Sequence, residues 1–217
     1  MKKLVLMACV LVGVGFGADI KTLTQQCEAK DRLACVDLII EYGKAKNYSK
    51  TFEFTQKACD LKTGLACFDL GALYYNGLVD IEKAHDFHRK ACYLKNAVGC
   101  YSLGLFYING QGGEEDIVKA REYFQQACDL KSGAGCNGLG VLYEKGEGVR
   151  LDFAKAVSYY KMACNLNSSY GCDNLGRCYK NGQGVTKDIN KAKELFEKAC
   201  DLGLLARCDD YKNEIMR

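Results

Sequence analysis

The sequence predicts an all-α solenoid built from pairs of helices, and three observations support this fold class. Twelve of the 14 cysteines form six pairs with the spacing C-x7-C. Successive pairs begin 32, 33, 36, 36 and 36 residues apart. Leucine, glycine and tyrosine recur at helical spacing, in phase with the cysteines. We therefore expect one domain over residues 19–217, with about five helix pairs and a half-repeat at each end.

The first helix of each pair is expected to end at the first cysteine of a pair. Twelve residues before that cysteine stands a residue that caps helix N-termini well: Asn47, Asp80, Asp116, Asp152 or Asp188. A lysine follows three positions later, and an aromatic or leucine residue four positions after the lysine. This spacing places the lysine and the apolar residue on one face of a helix.

The second helix is expected to start at the second cysteine. Its fourth residue after that cysteine is a glycine in four of the repeats: Gly71, Gly104, Gly140 and Gly176. A glycine inside a helix costs about 1 kcal/mol relative to alanine. Its recurrence therefore predicts close contact between helices. A glycine is expected to end each helix at Gly77, Gly110, Gly146 and Gly182.

The paired cysteines are interpreted as disulfides, because a regular, even set in an exported chain is typical of a disulfide framework. The pairs are Cys27/Cys35, Cys59/Cys67, Cys92/Cys100, Cys128/Cys136, Cys164/Cys172 and Cys200/Cys208. Zinc sites favour closely spaced cysteines or histidine partners, and the chain has 2 histidines, so no metal is expected. Eight residues of unbroken helix would separate the Cα atoms by about 12 Å, whereas a disulfide needs about 7 Å or less. The chain must therefore turn within each pair, in segments such as Lys62-Thr63-Gly64 and Lys131-Ser132-Gly133.

Residues 1–18 have the features of a secretory signal: a basic start, a short apolar run from Leu4 to Phe16 and a small-x-small cleavage site at Gly15 and Gly17. The alternative is lipidation at Cys9, but only five apolar residues precede it. No later stretch reaches the roughly 20 apolar residues of a membrane helix. We expect a secreted or periplasmic protein without a membrane anchor.

The formal charge of the chain argues against nucleic acids as partners. Removing Lys2 and Lys3 with the signal lowers the formal charge from +3 to about +1. A nearly neutral chain lacks the basic surface that nucleic acids require.

The segment "GLGVLYEKGEGVRLDFAKAVSYYKMAC" resembles the Sel-one-like repeat, a relative of the tetratricopeptide repeat. With C-x7-C at every junction, residues 20–217 resemble the Helicobacter cysteine-rich protein family. The resemblance implies a right-handed superhelix of disulfide-bridged helix pairs. It also implies binding of penicillins, slow β-lactamase activity in several members, and host interaction in others.

Two strings match motifs of serine β-lactamases. Ser158-Tyr159-Tyr160-Lys161 matches S-x-x-K, and Lys62-Thr63-Gly64 matches K-T-G. In the repeat frame, Ser158 and Lys161 occupy positions that other repeats fill with solvated polar residues. Chance similarity is the alternative interpretation, so Ser158 and Lys161 are weak catalytic candidates.

Three other residues, His85, His88 and Cys178, carry side chains that can bind metals or undergo redox chemistry. His85 and His88 lie one helical turn apart, but His88 occupies the position of Phe124, Tyr160 and Phe196 in later repeats, which favours packing over metal binding. Cys178 is unpaired and invites a redox role. It replaces apolar residues of other repeats, which favours a buried thiol.

A solenoid usually binds its partners on a concave face lined by one helix of each pair. The first, fifth and eighth positions after the second cysteine define a stripe that is apolar in the early repeats and charged in the later ones. The candidate binding residues are Val36, Phe68, Tyr75, Tyr101, Leu105 and Ile108. The alternative is that this stripe packs against neighbouring helices.

Two hypotheses for function follow. The first is a monomeric interaction scaffold that binds a protein, a peptide or a peptidoglycan fragment and needs no cofactor. The second, implied by the resemblance, is a penicillin-binding protein that slowly hydrolyses β-lactams.

Overall fold

The computed structural model describes residues 19–111, 113–204 and 208, and this part of the chain contains eleven α-helices and no β-strand. The helices are α1 Ile20–Glu28, α2 Arg32–Lys44, α3 Tyr48–Asp60, α4 Gly64–Leu73, α5 Ile81–Tyr93, α6 Ala97–Ile108, α7 Ile117–Asp129, α8 Gly133–Lys145, α9 Phe153–Asn165, α10 Ser169–Asn181 and α11 Ile189–Asp201. The predicted all-α repeat fold is confirmed. The expected signal at residues 1–18 and the half-repeat after Cys208 lie outside the described residues.

The helices form two compact units. The first ends at Leu61 and contains α1–α3, and the second begins at Lys62 and contains α4–α11.

Disulfides join the end of one helix to the start of the next. Five bridges, each spanning eight positions, bring their Cα atoms to within 4.5–5.0 Å: Cys27–Cys35, Cys92–Cys100, Cys128–Cys136, Cys164–Cys172 and Cys200–Cys208. Cys59 and Cys67 are also disulfide-bonded. The prediction of disulfide-bridged helix pairs is therefore confirmed.

The turn inside each pair is made by a residue in the left-handed backbone conformation, three positions after the first cysteine. These residues have φ between 59° and 95°: Lys30, Lys62, Lys95, Lys131, Asn167 and Gly203. At one hinge, the N–H of Lys131 donates to the carbonyl of Cys128, and the N–H of Ser132 donates to the carbonyl of Ala127, both at 2.9 Å. These bonds satisfy carbonyls that the helix end leaves free.

Gly133, the glycine of one of these turns, allows close packing and does not itself reverse the chain. Gly133 begins α8 with φ outside the left-handed region, and a Cβ built on it would lie 3.0 Å from the Cβ of Ser168. The absence of a side chain therefore lets the next helix pair approach.

The predicted N-caps form as expected. The side chains of Asn47, Asp80, Asp116, Asp152 and Asp188 each accept a hydrogen bond of 2.9–3.2 Å from the N–H three residues later. In each case that N–H belongs to the recurring lysine.

In the second unit the helices form two rows. We call α4, α6, α8 and α10, each of which contains the second cysteine of a pair, the inner helices, and α5, α7, α9 and α11 the outer helices. Each inner helix contacts the next inner helix as well as the outer helices beside it. Among the described residues, no outer helices of successive pairs make contacts of this extent. The inner row is therefore the more closely spaced one.

Each outer helix places a ring flat against a glycine of the preceding inner helix. His88 covers Gly71, Phe124 covers Gly104, Tyr160 covers Gly140, and Phe196 covers Gly176. A methyl group on any of these glycines would overlap the ring. The expectation that these glycines mark close helix contact is confirmed.

A second recurring contact joins the tyrosine near the end of an inner helix to the following outer helix. Tyr107 stacks on Tyr123 with ring centroids 5.5 Å apart, and Tyr143 stacks on Tyr159 at 5.6 Å. The ammonium group of the recurring lysine lies 5.2 Å from the ring of Tyr74, Tyr107 or Tyr143. This cation–π contact accounts for the lysine at that position.

One predicted helix end is wrong. Gly110, Gly146 and Gly182 follow their helices with φ of 61°, 73° and 72°, but Gly77 lies inside a π-helical turn that spans Tyr74–Leu78. The reversal occurs at Val79, with φ 52°. The connection to the next helix is shorter here than in later repeats. The π-helical turn accommodates this shorter connection.

The ring–glycine contact predicts a stability effect. Gly140→Ala should lower the free energy of unfolding by about 1–3 kcal/mol, because the new methyl overlaps the ring of Tyr160 in a packed core. Urea unfolding followed by circular dichroism measures the change.

Gly43→Ala is the matched control, since nothing lies within 4 Å of a Cβ built on Gly43 near the end of α2. It should be neutral or stabilising by up to about 1 kcal/mol, as glycine is the poorer helix former. Equal destabilisation by both substitutions would show that the ring contact does not set the helix spacing.

Candidate functional site

A pocket opens between α4 and α6, the first two inner helices of the second unit. Its volume is about 200 Å³. We call it the α4–α6 pocket, and its walls are formed by Phe68, Ala72, Tyr75, Asn76, His88, Ser102, Leu105, Phe106, Asn109 and Gln111. His88 is the one residue of this lining that has a basic side chain. None of the others carries a charge at neutral pH.

Helical spacing and the π-helical turn supply the wall on the side of α4. Phe68 and Ala72 lie four positions apart on one face of α4, and Tyr75 follows within the turn. The ring of Tyr75 lies 5.4 Å from that of Phe106, and the amide of Gln111 donates a 2.7 Å hydrogen bond to the Tyr75 hydroxyl. Among the described residues this turn is the one π-helical segment, a feature often found at functional sites.

His88 reaches the pocket from α5. Its ring lies between Phe68, at 5.6 Å, and Phe106, at 5.3 Å, with Gly71 against its face. The side chain is 3% exposed, and neither Nδ1 nor Nε2 has a hydrogen-bond partner. A buried polar group without a partner costs about 1–3 kcal/mol.

Burial, followed by the charge of the nearby His85, lowers the pKa of His88 from 6.5 to about 4. His88 is therefore neutral at pH 7, with one ring nitrogen able to donate and the other able to accept. Burial also lowers the pKa of His85, with a smaller contribution from Arg89.

The structure brings together three of the six candidate binding residues. Phe68, Tyr75 and Leu105 line the α4–α6 pocket, and Leu105 is 36% exposed. Tyr101 and Ile108 pack against the core of the next repeat, with the Tyr101 ring 5.6 Å from that of Phe124. Val36 belongs to the first unit.

The later inner helices present a network of polar groups. The Asn174 amide donates a 2.9 Å hydrogen bond to Asn137, and Arg177 donates one of 3.2 Å to the Asn174 carbonyl. Glu144 accepts a 2.6 Å hydrogen bond from the hydroxyl of Tyr160, and Asp173 is buried. Glu144, Asp173 and Arg177, which belong to the charged part of the predicted stripe, are therefore partly occupied by contacts within the protein.

Comparison with known proteins accords with this geometry. Sel1 repeats match residues 28–62, 64–96, 97–132, 133–168 and 169–204. The chain belongs to the Sel1 repeat family. Each of the four Sel1 repeats from residue 64 onward begins with an inner helix and ends with an outer one, so the bridges between them connect consecutive repeats.

Three solved structures are similar to this Sel1 repeat protein. Cysteine-rich protein B of Helicobacter pylori is 38% identical, with a TM-score of 0.51 over 63% of this chain and 98% of its own. The protective antigen c5321 of uropathogenic Escherichia coli, which displays an SLR fold, is 26% identical with a TM-score of 0.76. The match covers 85% of this chain but only 41% of that antigen. A Sel1 repeat protein from Oxalobacter formigenes is 23% identical, with a TM-score of 0.74 over 81% of this chain and 75% of its own.

The resemblance to the Helicobacter cysteine-rich proteins is confirmed by the repeat matches and the H. pylori structure. No curated protein matches the chain.

The weak catalytic candidates lie on an outer helix. Ser158 and Lys161 are both exposed on α9. Lys62 is the left-handed hinge residue before α4, and four further helices lie between α4 and α9 along the chain. The buried Thr63 hydroxyl has no hydrogen-bond partner.

Cys178 is the free cysteine of the described part of the chain, and it is buried. Burial, followed by the negative charge of Glu144, raises the pKa of the thiol to about 11. The thiolate that redox chemistry requires is therefore disfavoured at neutral pH.

Residues 19–111, 113–204 and 208 contain neither a cluster of metal ligands nor a membrane-spanning helix. No group of three or more His, Cys, Asp or Glu side chains is placed to hold a metal ion there. No helix in these ranges combines the length and apolar character that crossing a bilayer requires.

The pKa of His88 predicts how stability varies with pH. The unfolded histidine binds a proton below about pH 6.5, whereas the folded one does so only below about pH 4. Stability should therefore fall between these values as the pH is lowered, because the unfolded state binds the extra proton. Relative to His88→Phe, the wild-type protein should lose about 2 kcal/mol in its free energy of unfolding between pH 7 and pH 4.5.

Urea unfolding at both pH values tests this. Phe124→His, which puts the same side chain into the equivalent slot over Gly104, should acquire the same pH dependence. Identical pH profiles for the wild type and His88→Phe would contradict the burial of a neutral imidazole.

The exposure of Ser158 predicts a negative result. Ser158→Ala and Lys161→Ala should leave any hydrolysis of nitrocefin by the oxidised protein unchanged, because an exposed helix face has no arrangement of groups to stabilise an oxyanion. Turnover present in the wild type and lost in Ser158→Ala would instead identify Ser158 as the nucleophile.

Proposed function

We propose that this Sel1 repeat protein is an exported scaffold that binds a peptide segment of a partner along the inner helices of its second unit. The observation that supports this proposal most directly is the α4–α6 pocket, an apolar cavity between two successive inner helices. Half-exposed aromatic walls with few polar groups are typical of binding sites.

The inner helices beyond the pocket offer groups suited to a peptide backbone. Asn137 and Asn174 are only half buried, and each amide can both donate and accept. A peptide carries the same two groups at every residue, so an extended segment could exchange hydrogen bonds with this pair. The apolar pocket and the amide pair together favour a peptide over a purely apolar ligand.

Export is supported by two independent features. The sequence of residues 1–18 has the features of a secretory signal. Disulfides at the helix junctions are typical of proteins in oxidising compartments. We therefore propose a periplasmic or secreted location.

Hydrolysis of β-lactams is not favoured by any contact in the described residues. A serine hydrolase needs a nucleophile within hydrogen-bond reach of a base, in a site that excludes water. Ser158 and Lys161 are exposed on an outer helix.

A random peptide library displayed on phage tests the scaffold. Selection on the oxidised protein should give peptides whose affinity falls about tenfold or more with Tyr75→Ala, since truncating a central aromatic anchor commonly costs over 1 kcal/mol. Fluorescence polarisation with synthetic copies of the peptides measures the dissociation constants.

Tyr93→Ala is the matched control, because Tyr93 ends the outer helix α5 and is 83% exposed. It should bind the peptides as the wild type does, and thermal unfolding should show that both variants are folded. Selected peptides that bind Tyr75→Ala and the wild type equally would place the binding surface elsewhere.

A further inference from the structure

The α4–α6 pocket differs from the equivalent positions in later repeats at one residue of the ring–glycine contact. The other three rings of the second unit are Phe124, Tyr160 and Phe196, and Tyr160 donates a 2.6 Å hydrogen bond to Glu144. His88 alone among the four places two ring nitrogens in the core without a partner. An unpaired buried polar group in the wall of a cavity is the feature that a ligand can satisfy.

The chemistry of the walls restricts the occupant. No lysine, arginine, aspartate or glutamate lines the pocket, and the one ionisable base, His88, is neutral at pH 7 because burial holds its pKa near 4. A charged group would lose its hydration without gaining an opposite charge. The occupant is therefore uncharged.

The size and the ring contacts restrict the occupant further. About 200 Å³ is below the roughly 300–1,000 Å³ of pockets that enclose whole small molecules, so the cavity suits a single side chain. Phe68, Tyr75 and Phe106 surround it with aromatic faces and edges, against which another ring packs favourably.

The ring nitrogens add a preference for a hydroxyl. A neutral imidazole has one donor and one acceptor, and a hydroxyl can pair with either. Both nitrogens are shielded from solvent, so pairing requires the side chains around the ring to shift when a ligand enters the pocket. Changes of side-chain rotamer are common on binding.

We propose that the α4–α6 pocket binds the phenol side chain of a tyrosine, with its hydroxyl hydrogen-bonded to His88. This inference rests on the proposed function, because the tyrosine belongs to the bound peptide segment. It adds the identity of the anchoring side chain and the residue that selects it. A site whose buried polar group pairs only with the hydroxylated ligand rejects the ligand that lacks the hydroxyl.

The chain contains 2 histidines, which makes nuclear magnetic resonance of the histidine rings a direct test. The oxidised protein with ¹³C-labelled histidine is titrated with N-acetyl-L-tyrosinamide and, separately, with N-acetyl-L-phenylalaninamide. His88→Phe assigns the two ring signals and also restores the side chain that other repeats have over their glycine. We expect the His88 signal to shift more than that of His85, and the tyrosine amide to bind about 5–10-fold more tightly than the phenylalanine amide.

A double-mutant cycle isolates the hydrogen bond. With His88→Phe, whose binding is followed through the amide signals of the ¹⁵N-labelled protein, the two amides should bind with equal affinity, because the partner of the hydroxyl is gone. Equal affinities for the wild-type protein, or a His88 signal that moves with neither amide, would overturn the proposal.

The amides also separate this inference from the proposed function. If library peptides bind through Tyr75 but neither amide moves the His88 signal, the scaffold stands and the tyrosine anchor fails. If the tyrosine amide binds through His88 but the library gives no peptide, the pocket stands and the peptide scaffold fails.

Discussion

The packing of a ring on a glycine is the contact on which the second unit depends. Each outer helix lies close to an inner helix only because the glycine there has no side chain for the ring to avoid. That approach brings the lysine of the outer helix over the tyrosine of the inner one and allows the two aromatic residues to stack. The recurring glycine, lysine and tyrosine are therefore parts of one packing arrangement.

The candidate site arises from the same contact. In three repeats the ring over the glycine belongs to phenylalanine or tyrosine, and the core is closed by apolar or paired groups. In the first repeat of the second unit, the ring is that of His88 and the adjoining space is open to solvent as the α4–α6 pocket. The two unpaired buried nitrogens of His88 lower the stability of the fold at the position where the inner helices form a cavity. Such local departures from the best packing are expected at functional sites.

Much of the fold could be predicted from the sequence because its signals are local. An asparagine or aspartate twelve residues before five of the six first cysteines caps its helix through a hydrogen bond to the N–H three residues later. The length of eight helical residues excludes a straight helix between bridged cysteines. The prediction that Gly77 ends its helix is wrong because the connection to α5 is short. Gly77 lies inside a π-helical turn instead, and Val79 takes the left-handed position.

The site was harder to predict because its walls come from elements far apart in sequence. Helical periodicity identifies Phe68, Tyr75 and Leu105, which share a face of the inner row. His88 comes from an outer helix, and Gln111 comes from the loop after α6. The only local signal for His88 was a polar ring at a position that other repeats fill with an apolar or phenolic one.

The spacing of the bridges has a consequence for how the protein acquires them. Each of the five described bridges joins cysteines eight positions apart. The nearest cysteine outside its own pair lies 24 residues further on for Cys35, and threefold more chain between two thiols adds about 1 kcal/mol to the entropic cost of bringing them together. For eleven of the twelve paired cysteines the native partner is the nearest thiol along the chain; the exception is Cys172, which lies six residues from the free Cys178. Disulfide formation can therefore proceed from one pair to the next along the chain, with exchange of wrongly paired cysteines expected mainly between Cys172 and Cys178.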